Sequence, residues 1–167
     1  MSRLRAGEEF ESWNSKRVRS AMGVQSLFCY GTLQSPMVMK AVVGAAFSGK
    51  EAVLHGFARY RIKKTEYPAI TAEEGSSVNG KMYWDLDEDA IAKLDAFEGD
   101  KYERVPVKVT VAGGEVIDAY AYAIKPEYRK LLSGDPWDFD RFLQNGLERW
   151  INWFVEDRRD LFDRGDL

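Results

Sequence analysis

The sequence predicts an α+β domain, on the strength of three features. Tyr102–Val111 and Val116–Ile124 alternate in polarity on either side of Gly113-Gly114, the pattern of an antiparallel pair joined by a tight turn. Phe139, Phe142, Leu143, Leu147, Trp150, Ile151 and Phe154 recur at the helical period, which predicts a long amphipathic C-terminal helix packed across a sheet. Between them and a set of shorter β-prone runs, the stretch from Asp85 to Gly99 carries a second helix signal.

The 167 residues, 45% hydrophobic and 13% aromatic, suffice for one domain with a substantial core. We place it at 25–157, with 1–24 as a polar N-terminal extension and 158–167 as a polar tail. A net charge of -3 with both signs interspersed lacks the clustered basic excess of a nucleic-acid footprint, so small molecules or proteins are the expected partners. Cys29 is the one cysteine and His55 the one histidine. An internal disulfide and a Cys/His metal cluster are thereby excluded, and neither metal nor cofactor is expected. No apolar run approaches the roughly 20 residues of a membrane span, and the N-terminus lacks the apolar centre of a secretory signal. Glu8, Glu9 and Glu11 do not suit a transit peptide. The expectation is a cytoplasmic protein without membrane contact; its oligomeric state is left open.

In chain order, Ser26–Tyr30 is a short β-prone run ending at Gly31, and Ser35-Pro36 supplies an N-cap and first-turn pair for a helix through Val43. This order puts the N–H groups of residues 31–35 beside a helix start, a ready anion site; an ordinary strand-to-helix turn would read the same way. Gly44–Lys50 has the spacing of a phosphate-binding loop as far as its lysine. Glu51 stands where Ser or Thr should hold magnesium, and the helix precedes rather than follows, so nucleotide binding is rejected. A strand is predicted over Ala52–Arg61, then one to Thr71, a turn at Gly75-Ser76-Ser77, and another strand over Val78–Trp84.

Asp85 or Asp87 then caps a helix of about three turns that Gly99 ends; the acidic run lacks the turn glycine and terminal glutamate of a calcium loop. At about 100° per residue, Glu98 falls roughly 20° from Ile91 and on the side of Leu94, so a carboxylate continues the apolar stripe. The C-terminal end of the helix dipole and partial burial both disfavour its charge, which predicts a raised pKa suited to proton transfer. The structural alternative is a rim glutamate reaching water or paired with Lys101 or Arg104. Cys29 activated by His55 is a rival thiol chemistry, although neither has a recognisable local signature. The tryptophans Trp137, Trp150 and Trp153 either pack the core or line a pocket.

The segments Tyr30-Gly31-Thr32-Leu33, Tyr67-Pro68, Gly80 with Tyr83, and Leu94-Asp95-Ala96-Phe97-Glu98-Gly99 followed by Tyr102 and Arg104 resemble the γ-glutamylcyclotransferase-like family in order and spacing. The resemblance covers about residues 26–125. Trp137-Asp138-Phe139-Asp140 and the helix after it look like the extension of the family's plant avirulence-induced branch. The resemblance implies a small mixed β-barrel with packed helices, and release of 5-oxoproline from γ-glutamyl compounds. It implies Glu98 as the catalytic glutamate and Tyr30, Gly31, Thr32 and Leu33, with Gln34 and Ser35, as the loop that binds the glutamyl end. Tyr67 and Tyr102 are further pocket candidates. A non-catalytic binding or regulatory module on the same fold is the alternative.

Overall fold

The computed structural model describes residues 24–163; residues 1–23 of the predicted extension and 164–167 of the predicted tail lie outside them. Its strands are β1 (Gln25–Cys29), β2 (Lys50–Ile62), β3 (Pro68–Leu86), β4 (Tyr102–Val111), β5 (Val116–Ile124) and β6 (Leu132–Pro136). The helices are α1 (Pro36–Val43), α2 (Glu88–Glu98), α3 (Phe139–Asn145) and α4 (Leu147–Asp163). Following neighbours around, β3 pairs with β1, β1 with β5, β5 with β4, β4 with β2, and β2 returns to β3. Five strands thus close into a barrel, which removes their free edges. The barrel is mixed because β1 runs parallel to β5 at Leu27 and Tyr120, whereas its other pairs are antiparallel. β6 extends the sheet on the far end of β2, opposite Tyr60 and Ile62.

Strand alternation sorts the core. Phe28 of β1 and Tyr30 just beyond it join Leu54, Ile70, Met82 and Val109 inside the barrel. Leu27 and Cys29 face the other way, onto a layer with Met39 of α1, Leu94 of α2 and Trp150 of α4. At Gly80 a Cβ would come within 2.4 Å of the Cys29 carbonyl oxygen and 2.7 Å of the Phe28 ring, so only glycine lets β3 pass there.

Three expectations are corrected. The predicted turn at Gly75-Ser76-Ser77 does not end a strand: β3 runs unbroken through it, over 19 residues. The β2–β3 register passes from His55↔Ser77 to Phe57↔Ala72, so residues 73–76 bulge out opposite Gly56, with φ of 82° at both Gly56 and Gly75. The single C-terminal helix is two. Asp138 caps α3 by accepting the Arg141 N–H at 2.8 Å, the Gly146 N–H closes α3 on the Phe142 carbonyl, and the Gly146 carbonyl accepts from Trp150 in α4. α4 then continues to Asp163, through the first part of the predicted tail. Ser35 does occupy the N-cap position of α1, but its side chain makes no capping bond. In the stretch with phosphate-loop spacing, Gly44 ends α1 in a left-handed conformation and β2 starts at Lys50.

Candidate active site

The end of β1, the turn between β2 and β3, the end of α2 and the start of β4 converge on a cavity of about 460 Å³, with Trp150 and Trp153 of α4 along one wall. Glu98 lines it because α2 is fixed at both ends. Asp87 caps the helix by accepting the Ala90 N–H at 2.8 Å, Ile91 and Leu94 are buried, and Gly99 stops the helix at φ 78°.

Glu98 has no hydrogen bond or ion pair among the described residues. Lys101 lines the cavity without reaching it, and Arg104 binds Asp95 instead, at 3.2 Å, and also donates to the Gln25 side chain. The ion pair of Glu98 with Lys101 or Arg104, one form of the structural alternative, is therefore not formed. Burial, and secondarily the Asp95 charge one turn back, push the Glu98 carboxyl up to about 8. Around it stand three tyrosines with occupied hydroxyls. Tyr102 donates to the Pro68 carbonyl at 2.9 Å, Tyr122 to Asp95 at 2.6 Å, and Tyr30 to the Tyr122 carbonyl. Burial first, and Glu98 among their neighbouring charges, raise all three above the usual phenol range.

The loop after β1 presents its other pole to the same cavity. The Gly31 carbonyl accepts from the Gln34 N–H and the Thr32 carbonyl from the Ser35 N–H. Tyr83 donates to the Leu33 carbonyl at 3.0 Å, and Lys81 to the Gln34 carbonyl at 3.1 Å. The Tyr30 carbonyl takes both the Gln34 side-chain amide and Arg59, each at 2.8 Å. Every carbonyl from Tyr30 to Gln34 is thus occupied, whereas the N–H groups of Gly31, Thr32 and Leu33 meet no acceptor among the described residues. All three residues line the cavity, which makes their unpaired amides a candidate nest for an anion or a developing oxyanion.

Of the residues singled out in the sequence, Glu98, Tyr30, Gly31, Thr32, Leu33, Tyr67 and Tyr102 meet at this cavity; Gln34 and Ser35 do not line it. Gln34 is turned back onto the loop it braces. Cys29 also lines the cavity, but burial raises its thiol well above its ordinary range, and His55 is exposed on β2 away from it. Sequence reasoning missed Arg59, Lys81 and Thr65. The signal available for Arg59 is an arginine set within a largely apolar strand run. Trp150 and Trp153 line the cavity, while Trp137 packs on Phe142 and donates to the Glu66 carbonyl at 2.7 Å. No group of three or more metal-ligating side chains occurs among the described residues, and none of their helices is long and apolar enough to cross a membrane.

A closed mixed barrel whose cavity is lined by a run of unpaired amides and an unpaired, half-buried glutamate is the geometry of a candidate small-molecule site of acid–base character. A family profile described as gamma-glutamyl cyclotransferase, AIG2-like, matches residues 27–139. AIG2-like protein C of Arabidopsis thaliana is 33% identical over 144 residues, which span 84% of this chain and 83% of that protein. The solution structure of an Arabidopsis thaliana protein aligns at TM-score 0.63 and 28% identity, over 81% of this chain and 91% of that one. A solved gamma-glutamyl cyclotransferase aligns at TM-score 0.55 and 19% identity, over 80% and 85% of the two chains, a likeness of fold. The chain belongs to the gamma-glutamyl cyclotransferase, AIG2-like family.

Proposed function

We propose that this protein is a cyclotransferase that releases 5-oxoproline from a γ-glutamyl compound. The carrying observation is the unpaired Glu98, raised to about 8 and sharing a cavity with three unoccupied amides. The substrate's α-ammonium gives a proton to the Glu98 carboxylate, and the freed amine attacks the substrate's own γ-carbonyl carbon. The carbonyl oxygen takes up the negative charge and is held by the amides of Gly31, Thr32 and Leu33. Glu98 returns that proton to the leaving nitrogen as the γ-amide C–N bond breaks, and passes on in the same way the second proton, which the attacking nitrogen sheds once it is bonded to the carbonyl carbon. Over the sequence the attacking nitrogen loses two protons and the leaving nitrogen gains two, so Glu98 ends as it began and no co-reactant is consumed.

The magnitudes suit the parts. A positioned base contributes about 10²- to 10⁴-fold, an oxyanion donor about 10²- to 10³-fold, and holding amine against carbonyl adds the entropic share. A cationic substrate also supplies the charge partner that Glu98 lacks, so binding favours the carboxylate that the reaction needs. Incubation of purified protein with a panel of γ-glutamyl amines, amino acids and peptides should yield 5-oxoproline from at least one. Binding without any 5-oxoproline would leave a ligand-binding module on this fold.

A further inference from the structure

Beyond Glu98 and the amide nest the cavity changes character. Ile62, Phe97, Trp150 and Trp153 line it, and Trp153 is 50% exposed, a large apolar surface at the site. Phe97 and Trp150 meet edge to face at 6.0 Å, and Trp150 stacks on Phe154 at 4.9 Å, which fixes this wall as aromatic. One lining residue, Lys101, is cationic; it is exposed, and its ammonium has no ion pair among the described residues. The indole N–H of Trp150 is buried with no acceptor among them. An apolar wall, a free ammonium and an unsatisfied donor together call for a group with an apolar body and an anionic end.

Resting on the cyclotransferase reading, we propose that the leaving half of the substrate is an α-amino acid with an aromatic or large aliphatic side chain, its carboxylate toward Lys101 and its side chain against Trp153. The products are then 5-oxoproline and the free amino acid: one C–N bond forms within the glutamyl half, one breaks, and the protons balance as above. Lys101 and Trp153 are specificity-determining residues here and take no part in proton transfer.

The test compares kcat/KM for γ-glutamyl-phenylalanine, γ-glutamyl-glycine and γ-glutamyl-phenethylamine, in the wild type, Lys101→Met and Trp153→Ala. An exposed ion pair is worth up to about 1 kcal/mol and an aromatic contact about 0.5–1.5 kcal/mol. Phenylalanine should therefore exceed phenethylamine by about three- to five-fold and glycine by about three- to ten-fold. Lys101→Met should erase the first preference alone and Trp153→Ala the second alone. Equal rates for the three compounds, or an equal loss on all three in Lys101→Met, which would assign the lysine to the glutamyl half, overturn the proposal. Should none of the compounds be turned over, tryptophan-fluorescence titration of the same set separates the two claims. Preferential, Lys101-dependent binding of γ-glutamyl-phenylalanine keeps the pocket assignment while catalysis fails, and absence of preference removes it.

Discussion

Asp95 and Glu98 stand one turn apart on α2, and Asp95 takes the partners that Glu98 lacks: the Tyr122 hydroxyl at 2.6 Å and the Arg104 guanidinium at 3.2 Å. After burial, the charge of this neighbouring carboxylate is the second cause that keeps Glu98 protonated.

Asp95→Asn should therefore lower the pKa of Glu98. The acidic limb of kcat/KM, on which activity rises as Glu98 ionises, should move to lower pH by up to about one pH unit, the Asp95 charge being the smaller of the two causes. A limb that stays in place under this substitution would separate Asp95 from the ionisation of Glu98.

The raised carboxyl also links pH to stability. With its folded pKa raised to about 8 from an ordinary 4.5, Glu98 holds its proton in the folded state while the unfolded chain releases it. That preference is fully present below pH 4.5 and is lost as pH rises to about 8. Glu98→Gln should thus match the wild type at low pH and become the more stable protein through this window. The gap should reach a few kcal/mol, since each tenfold difference in proton affinity between the two states is worth about 1.4 kcal/mol. Denaturant midpoints across pH 4–9 measure it; a constant difference would mean that folding leaves the acidity of Glu98 unchanged.

At Gly31 a Cβ would lie 3.0 Å from Cγ of Pro68, which lines the same cavity as the nest. Gly31→Val should abolish binding of a γ-glutamyl ligand, at a stability cost of about 1–3 kcal/mol for overpacking. Normal affinity measured by calorimetry in a folded variant would place the anion elsewhere.

Cys29 packs beside the loop as a protonated thiol, and His55 is not at hand to activate it. Cys29→Ala should keep most activity and lose about 1 kcal/mol of stability. Mass spectrometry after quenching should show no acyl adduct on the wild type; an adduct there, or loss of turnover in the variant, would favour a thiol mechanism.

What the sequence disclosed was local. The hairpin of β4 and β5 and the capped helix α2 carry their own turn and cap signals, so their limits, and the face on which Glu98 falls, follow from spacing alone. The barrel does not, because its closure rests on β1 meeting β5 and β2 meeting β4 across long sequence separations; only the family resemblance implies it. A positive-φ glycine serves a bulge as well as a turn, so Gly75 marks a strand end in the sequence and a bulge in the structure. Gly146 was absorbed into a helix because the apolar period continues across it. At the site, the nest was anticipated from strand, loop and helix order, but the bonds that aim it come from Arg59, Lys81 and Tyr83 on two other strands. Nothing local marks those residues as belonging to the loop.

The central claim is that Glu98 moves the proton, and 5-oxoproline release by Glu98→Gln tests it most directly, over pH 5–9 beside the wild type. The wild type should show kcat/KM rising toward a plateau with an apparent pKa near 8, while the variant, folded and still binding substrate, should fall by about 2 to 4 orders of magnitude with that limb flattened. Near-normal turnover in the variant, or an unchanged limb, would contradict the account.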